Sequence, residues 1–555
     1  MFPSVRQFGI IDNVEKIARR EDTKDGGSVN VLPEYDVVIV GGGTAGCVLA
    51  SRISENPEIK VLLLEAGGSG KSLLNSRAPG AFARIFHTKH DYEFYTAEQH
   101  NADGRKRFWP RGKMLGGCSS INAQIFHLGA PSDYDEWAKS GLEGAEAWRF
   151  DEFQKYFLKF EKFSPHKLYP QVDPTPRGNT GPVDVGYYGF CSNFSKKWLE
   201  ACEEVGIPHS HDINTKSGTL GATKFSAYRI IHRLSLIVLV TNIQHHHIQP
   251  FLQGRRVSTE TAYLTPDVLK RENLTVATHA FATKIHFASV NGKKRAVAVE
   301  FSREKGSQGY KAPVRVEVVV SAGAIHTPQI LMLSGVGPSD HLKEKSIPVV
   351  HDLPGVGKHL MDHPTVNLGY QLKRGESLLY LEPRTIFEQL KSIPRLLQWL
   401  LLGTGPVTSN IGEAGAFIRT DDPKLFPPEK FTEKIDDSTS GPGAPDVEYV
   451  SGPFFWREHN VRHPQNPIGD MGTIFTILLR PTSLGTVTLN SADPFDKPLI
   501  DPNYLSTAHD LKVLTRGVQL AIRTSQAKQL QTLFHENGKT NPVFDHTTTE
   551  DDIPK

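Results

Sequence analysis

A glycine-rich turn between two apolar runs constrains the fold of this chain most strongly. The first run, residues 35–40, leads directly into three glycines at a GxGxxG spacing: Gly41, Gly43 and Gly46. A second run, residues 61–64, ends on Glu65. A strand, a glycine turn, a helix, a second strand and an acid at its tip form the element order of a dinucleotide-binding half-site. A glycine turn with a purely structural role would not explain why an acidic residue, Glu65, follows the second apolar run.

The residues of this half-site have distinct predicted roles. Gly41 permits the tight turn, Gly43 lets the backbone approach a pyrophosphate, and Gly46 lets the helix pack closely on the strand. The helix that opens at Thr44–Ala45 points its amides and the positive end of its dipole towards phosphate. Glu65 is placed to accept hydrogen bonds from the ribose hydroxyls of adenosine.

Composition excludes several classes of partner. The chain has 555 residues, and its 63 basic and 61 acidic side chains give a net charge of +2 without a long basic run. Nucleic acid is therefore not an expected partner. No stretch reaches the roughly 18 apolar residues of a membrane span. The four cysteines, none in CxxC spacing, suit a reducing compartment.

The N-terminal segment is expected to be a flexible leader. Residues 1–32 are mostly polar and carry charges of both signs. They lack the apolar core that a secretory signal peptide requires. We therefore expect a leader over residues 1–32 and favour a cytoplasmic location.

A second cluster of small residues lies further along the chain. It comprises three glycines and three polar residues: Gly112, Gly116, Gly117, Ser119, Ser120 and Asn122. Such a loop lets backbone press against a flat ring, and Asn122 is able to hydrogen-bond the ring or its ribityl chain. A flavin needs such a platform, whereas a nicotinamide cofactor does not. A tight structural turn remains the alternative for this segment alone.

Together these motifs resemble the glucose–methanol–choline (GMC) family of flavin oxidoreductases. Residues 112–122 are similar to the first signature of the family, and residues 323–337 match the second throughout. Further similar segments are residues 254–259, 353–357 and 501–504. The resemblance covers about residues 35 to 525 and implies bound FAD as the cofactor.

The resemblance also implies a fold and a domain organisation. It implies an α/β protein with a Rossmann-like FAD-binding domain and an α+β substrate domain built on a mostly antiparallel sheet. The FAD-binding domain is expected to be discontinuous, over residues 33–160, 254–365 and 485–555. The substrate domain is expected over residues 161–225 and 366–484.

Cofactor contacts follow residue by residue from the same resemblance. Thr44, Ala45, Glu65 and Ala66 would hold the ADP moiety, and the backbone of Ala282 would meet adenine. The residues expected along the flavin are Leu115, Ser119, Asn122, Ala123, Gln124 and Ile125. Some members attach the flavin covalently through a histidine just before the signature asparagine. Since Ile121 occupies that position here, we expect non-covalent FAD.

One segment departs from the family pattern. Residues 226–253 are apolar and β-branched between ordinary polar neighbours, and we predict an atypical insertion there. Its histidine triplet, His245–His247, suggests a metal site. Adjacent side chains in a strand alternate faces and do not converge on one ion, so no metal site is expected.

The C-terminal region departs as well. The catalytic base of the family is a histidine in a His-Pro segment near the C-terminus. Neither His535 nor His546 lies in such a motif, and each is expected at the surface. We therefore expect a C-terminally incomplete member whose FAD-binding domain lacks its end, and we assign no catalytic residue. The alternative function is a catalytically inactive, truncated FAD-binding remnant.

The implied reaction is oxidation of a CH–OH group, with hydride transfer to flavin N5 and electrons passed on to oxygen or a quinone-like acceptor. Oxidase and dehydrogenase both remain open. A nicotinamide-dependent dehydrogenase would explain neither signature. The apolar regions at residues 397–402 and 454–456 favour a small hydrophobic alcohol over a sugar, with ordinary core as the alternative. No residue bears on a role in secondary metabolism, which stays open.

Overall fold

The structure of the protein is a computed structural model. It describes residues 9–22, 28–228, 254–381, 383, 386–457, 459, 469–535 and 549–552. His245–His247 and His546 lie outside the described residues, as does most of the predicted insertion.

The strands, in chain order, are β1 (Ile10–Ile11), β2 (Arg19–Asp22), β3 (Ser28–Val31), β4 (Tyr35–Val40), β5 (Val61–Leu64), β6 (Phe94–Tyr95), β7 (Phe108–Trp109), β8 (Glu161–Ser164), β9 (Val183–Gly186), β10 (Gly221–Lys224), β11 (Ala227–Tyr228), β12 (Leu274–Ala277), β13 (Phe281–Val290), β14 (Lys293–Ser302), β15 (Gly309–Val320), β16 (Val336–Gly337), β17 (His351–Asp352), β18 (Thr365–Gln371), β19 (Ala414–Ile418), β20 (Val447–Gly452), β21 (Met471–Leu478), β22 (Thr486–Thr488) and β23 (Leu499–Asp501).

The α-helices, in chain order, are α1 (Thr44–Ile53), α2 (Leu74–Arg77), α3 (Pro131–Ala138), α4 (Phe150–Phe160), α5 (Asn193–Glu204), α6 (Thr259–Tyr263), α7 (Gly323–Leu333), α8 (Ser339–Glu344), α9 (Ile386–Leu402), α10 (Ala508–Ser525) and α11 (Lys528–Gln531).

A nine-stranded sheet carries the glycine turn. Its order is β1-β12-β5-β4-β15-β14-β13, and β3 joins it by pairing with β15 and β2. β4 lies between β5 and β15, parallel to both. Every residue of β4 and β5 is buried, as their continuous apolar sequences predict for strands covered on both faces. Because parallel strands end at one edge, Gly41, Glu65 and Ser321 meet there.

A second sheet of five strands forms a separate core. Its order is β10-β19-β20-β21-β18, and each neighbouring pair is antiparallel. Helices α5 and α10 contribute Trp198 and Leu520 to the hydrophobic core beside Tyr449 of β20. The predicted α/β fold, a Rossmann-like domain beside a domain on an antiparallel sheet, is confirmed.

The N-terminal segment differs from the predicted flexible leader. Within residues 1–32, the described part contains β1, β2 and β3. Ile10 and Ile11 extend the large sheet by pairing in parallel with Val276 and Ala277. Val14 is buried in the core beneath that sheet. The polar composition of the segment predicted no packed structure, but a few apolar side chains are enough to anchor an edge strand.

The C-terminal segment also differs from the predicted domain boundaries. Residues 485–555 were expected in the FAD-binding domain, yet α10 packs on the antiparallel sheet of the substrate domain. The hydroxyl of Tyr449 donates to the carbonyl of Gly517 at 2.7 Å, and Phe534 stacks on Tyr370 with 4.8 Å between ring centroids. The sequence of an amphipathic helix shows that one face is buried but not which sheet that face covers. The sequence therefore could not predict the domain to which α10 belongs.

The start of the predicted insertion is regular structure. Ala227 and Tyr228 form β11, which pairs with β9 in a small sheet of the order β11-β9-β8. The helices of the described chain are each too short or too polar to cross a membrane. The cytoplasmic location stays a prediction.

Candidate functional site

The glycine turn after β4 has the geometry that its spacing predicts. Gly41 has a φ of +101°, which L side chains rarely adopt, and a Cβ there would lie 2.6 Å from the carbonyl oxygen of Ser321. A Cβ on Gly46 would lie 1.9 Å from the carbonyl oxygen of Gly41. These two glycines are therefore required by the packing of the protein itself.

Gly43 differs from its neighbours because its open side faces a cavity. The nearest atoms to a Cβ built there are the Cα of Gly117 at 3.9 Å and the carbonyl oxygen of Ser321 at 4.0 Å. Gly43 is also the N-cap of α1, and no side chain of the described chain caps that helix end. The first amides of α1 thus face an open space that suits the oxygens of a pyrophosphate.

This space, here called the nucleotide cavity, has a volume of about 460 Å³. It lies at the carboxyl edge of the large sheet, between the starts of α1 and α7. The predicted residues that line it are Gly41, Gly43, Thr44, Ala45, Glu65, Ala66 and Ala282. The open N-terminal end of α1 and the side chain of Glu65 thus face the same cavity.

Glu65 is buried in the wall of the nucleotide cavity. Its Oε2 accepts a hydrogen bond from the amide of Gly42 at 3.0 Å, and its Oε1 accepts one from the amide of Gly67 at 2.8 Å. Burial raises the pKa of Glu65 to about 7, although these two amides act in the opposite direction. The carboxylate is therefore held rigidly, with room to accept further hydrogen bonds from the cavity.

The second glycine loop lies against the first. The amide of Gly116 donates to the carbonyl of Gly42 at 2.8 Å, and residues Gly117–Ser120 form a short 3-10 turn. Of the residues expected along the flavin, Asn122, Ala123 and Ile125 line a neighbouring cavity, described next. Ser119 and Asn122 line a third cavity, of about 670 Å³, beside α1.

The neighbouring cavity, here called the apolar cavity, has a volume of about 330 Å³. Its wall on the side of the antiparallel sheet includes Val450 and Phe475, and aromatic rings close it at Phe82, Phe86 and Trp456. The loop of Asn122 and Ala123 also lines this cavity. The apolar and nucleotide cavities share Arg111 and Cys118, so they adjoin along this loop.

Three of the predicted cofactor residues do not line these cavities. Gly46 packs inside the glycine turn, and Leu115 is fully buried in the core between α1 and β5. The side chain of Gln124 is 1% exposed and also points into the protein. A loop has no periodicity from which the direction of a side chain can be read, so the sequence could not separate these residues from their neighbours.

Other lining residues were not singled out from the sequence. Tyr92, Arg111, Cys118 and His326 all line the nucleotide cavity. His326 lies 4.3 Å from Tyr92 between ring centroids, and burial lowers its pKa to about 4. Cys118 lies within the first signature and His326 within the second, so their positions in the sequence could have predicted that they line the site. Tyr92 reaches the site from a loop without any motif.

The two apolar stretches that were predicted to bind substrate lie in different surroundings. Trp456 lines the apolar cavity, and Phe454 packs in the same aromatic cluster. In contrast, Leu397, Leu401 and Leu402 of α9 are each about half exposed on the surface and line none of these cavities. The apolar sequence of α9 predicted that these leucines would line a substrate site, but they lie at the surface.

Of the two histidines considered next, one lines the apolar cavity and the other lies at the surface. His459 lines the cavity, and its ring meets Trp456 edge-on at 6.4 Å between centroids. His535 is exposed and lies near the end of β18, away from both cavities.

Gly43→Val tests the nucleotide cavity. Because a Cβ at this position lies at ordinary contact distance from its nearest atoms and faces the cavity, the fold should persist while FAD is excluded. We expect the affinity for FAD to fall by two orders of magnitude or more, on the order of 3 kcal/mol. Flavin absorbance per mole of purified protein measures the loss. Gly355→Val is the control, since nothing lies within 4 Å of a Cβ there. Full FAD content in the Gly43 variant would contradict the assignment.

The affinity for FAD should rise with pH through the pKa of Glu65. Ribose hydroxyls donate to the ionised carboxylate, so binding favours the form that is present above pH 7. Between pH 6 and 8 the ionised fraction rises from about one tenth to nine tenths, which predicts a gain of about tenfold in affinity. His326, with its lowered pKa, stays neutral across this range.

Quenching of flavin fluorescence in titrations at pH 6, 7 and 8 measures this dependence. Glu65→Gln should bind FAD more weakly and show a flat profile. Glu448→Gln is the matched control, because burial raises the pKa of that carboxyl to about 7 as well, but it lies on β20, outside the lining of the nucleotide cavity. An unchanged pH slope in Glu65→Gln would refute the role of this carboxylate.

Comparison with known proteins identifies the family. Two sequence profiles described as GMC oxidoreductase match the chain, one over residues 35–227 and 243–365 and the other, C-terminal, over residues 481–554. The first profile leaves out residues 228–242, inside the predicted insertion. The second match shows that the C-terminal domain of the family is represented in this chain. The expectations of a FAD-binding domain without its end and of a truncated, inactive remnant stay predictions.

Individual relatives agree with this result. The chain is 38% identical over 506 residues to a protein named dehydrogenase str4 from Strobilurus tenacellus, covering 89% of this chain and 76% of the relative. It is 32% identical over 524 residues to an alcohol dehydrogenase (acceptor) from Pseudomonas putida, covering 94% and 82%. In fold, it resembles the crystal structure of pyridoxine 4-oxidase from Mesorbium loti, with a TM-score of 0.71, 24% identity and coverage of 92% and 83%.

The glycine turn, the cavity at the sheet edge and these matches establish that the chain belongs to the GMC oxidoreductases, as an FAD-dependent oxidoreductase.

Proposed function

We propose that the protein oxidises the CH–OH group of a small apolar alcohol, with FAD in the nucleotide cavity and the alcohol in the apolar cavity. The observation that carries this proposal is the junction of the two cavities at Arg111 and Cys118. A flavin whose pyrophosphate lies at Gly43 would extend past this junction, along the loop that ends at Asn122. The alcohol carbon would then face the ring from the side of Trp456.

Bound FAD supplies the acceptor for the hydride that leaves the carbinol carbon. The chain itself binds and orients the two partners. Phe82 and Trp456 give the apolar cavity an aromatic wall, with 5.9 Å between their ring centroids, which binds a hydrophobic substituent and excludes water. Asn122 also lines this cavity, and its polar side chain would orient the hydroxyl end of the substrate.

The acceptor of the electrons is proposed to be oxygen or a quinone-like compound. The similarity to an alcohol dehydrogenase (acceptor) supports an alcohol substrate and an external acceptor. Parallel assays with dissolved oxygen and with a quinone or dye under anaerobic conditions distinguish the two cases.

Apolar alcohols should be preferred over sugars, and filling the apolar cavity should remove this activity. Val450 lines the cavity from β20, so Val450→Phe inserts a ring where the substrate would lie. We expect kcat/KM for benzyl alcohol and hexanol to fall at least about tenfold, equivalent to about 1.4 kcal/mol, with the FAD content unchanged. Val316→Phe, at a residue 58% exposed, is the control. A higher kcat/KM for glucose than for either alcohol, or full activity in Val450→Phe, would reject this substrate assignment.

FAD should be bound without a covalent link. Ile121 occupies the position at which some members of the family carry the linking histidine, and it lies in the wall of the apolar cavity. Its aliphatic side chain has no atom that could form the bond. Acid or heat precipitation of the FAD-loaded protein should release all the flavin into the supernatant, measured by absorbance. Yellow colour that stays in the washed pellet would disprove this.

A further inference from the structure

Arg256 is a buried cation with an unusual set of partners. It lies in the segment that leads into α6 and is 3% exposed. Its Nε donates to the carbonyl of Ser76 at 2.8 Å, and its Nη1 donates to the carbonyl of Ser119 at 3.1 Å. All of these acceptors are neutral, although a buried guanidinium is normally paired with a carboxylate.

Two further N–H groups of Arg256 hold Asn122. Nη2 donates to the backbone carbonyl of Asn122 at 2.6 Å, and Nη1 donates to its side-chain Oδ1 at 2.5 Å. The planar fork of arginine matches two acceptors of one residue in a way that lysine does not. Arg256 thus fixes the backbone and the side chain of Asn122 at the same time.

This contact determines which end of the Asn122 amide faces the cavities. Oδ1 also accepts a hydrogen bond from the amide of Gln124 at 3.1 Å, so both of its acceptor sites are used. The Nδ2 group has to point the other way, because a flipped amide would set N–H groups against two donors. No acceptor for Nδ2 is found within the described chain, and Asn122 is exposed to the apolar cavity.

The positive charge of Arg256 is not compensated nearby. Over the residues that the structure describes, Arg256 forms no ion pair, and the titratable group that acts on it is the phenol of Tyr188. Burial lowers the pKa of Arg256 to about 10, so the guanidinium remains charged at neutral pH. A buried charge without a counter-ion is costly, which suggests that it serves a purpose beyond holding the loop.

We propose that Arg256 is a positioning residue that directs the Nδ2 donor of Asn122 towards the bound flavin and raises the reduction potential of that flavin. The inference rests on the proposed position of the ring along Asn122. The reduced ring carries more negative charge than the oxidised ring, so a donor beside it and a fixed positive charge behind that donor favour the reduced form.

Redox titration of the FAD-loaded protein against indicator dyes tests the proposal. Arg256→Met removes both the charge and the fork. We expect it to bind reduced FAD about tenfold less tightly relative to oxidised FAD, which lowers the two-electron midpoint potential by about 30 mV. Arg256→Lys keeps the charge and loses the fork, so its potential should lie between those of the wild type and Arg256→Met. It also serves as the test if Arg256→Met does not fold.

Arg255→Met is the matched control, because Arg255 is the adjacent buried arginine and packs over the ring of Trp399. It should leave the potential at the wild-type value. Asn122→Ala should lower the potential as well, and the double variant Asn122→Ala/Arg256→Met should shift it by less than the sum of the two single changes.

An unchanged potential in Arg256→Met, or an equal shift in Arg255→Met, overturns the role of Arg256. Fully additive shifts overturn its action through Asn122. These outcomes differ from failure of the proposed function. Protein that binds FAD but oxidises no alcohol would reject the reaction and still allow the potential to be measured, whereas protein that binds no FAD would reject both.

Discussion

The nucleotide cavity depends on the contact between two glycine loops that are far apart in the sequence. The amide of Gly116 bonds the carbonyl of Gly42, and a Cβ on Gly117 would lie 2.7 Å from the Cα of Gly43. This approach is open only to backbones without side chains. It places the open end of α1 beside the loop that carries Asn122. Gly43 and Gly117 line the nucleotide cavity, and Cys118, the next residue, lines both cavities, so the contact lies at their junction.

Much of the site could be predicted because its determinants are local. The spacing of Gly41, Gly43 and Gly46 defines a turn, and Glu65 follows a buried strand, so both could be assigned from short segments. Arg256 lay inside a segment recognised from the family, but its function depends on Asn122, 134 residues away. Contacts of this kind are set by tertiary packing, which no local pattern encodes. The same reason explains why Tyr92 was missed and why Leu115 was assigned to the flavin.

The fold shows a similar division. The buried strands β4 and β5 read as continuous apolar runs, and the helix from Thr44 starts where the glycine spacing predicts. In contrast, the placement of α10 depends on whether its apolar face meets the parallel or the antiparallel sheet. The small size of Gly517 lets the helix approach Thr476 and Val447 of the antiparallel sheet, where a larger residue would collide with them. A glycine inside a helix is a weak signal by itself.

The discontinuity of the nucleotide cavity has a consequence for the life of the protein in a cell. Its walls come from separate stretches of chain around Gly43, Glu65, Cys118, Ala282 and His326. A ligand that binds all of these stretches has affinity for the folded chain and little for the unfolded one. At a free concentration about 100 times its dissociation constant, such a ligand adds about 2.7 kcal/mol to the free energy of unfolding. That amount is a large fraction of the stability of a typical domain. The abundance of this protein should therefore follow the supply of riboflavin, since chains made in flavin-poor cells remain exposed to proteases.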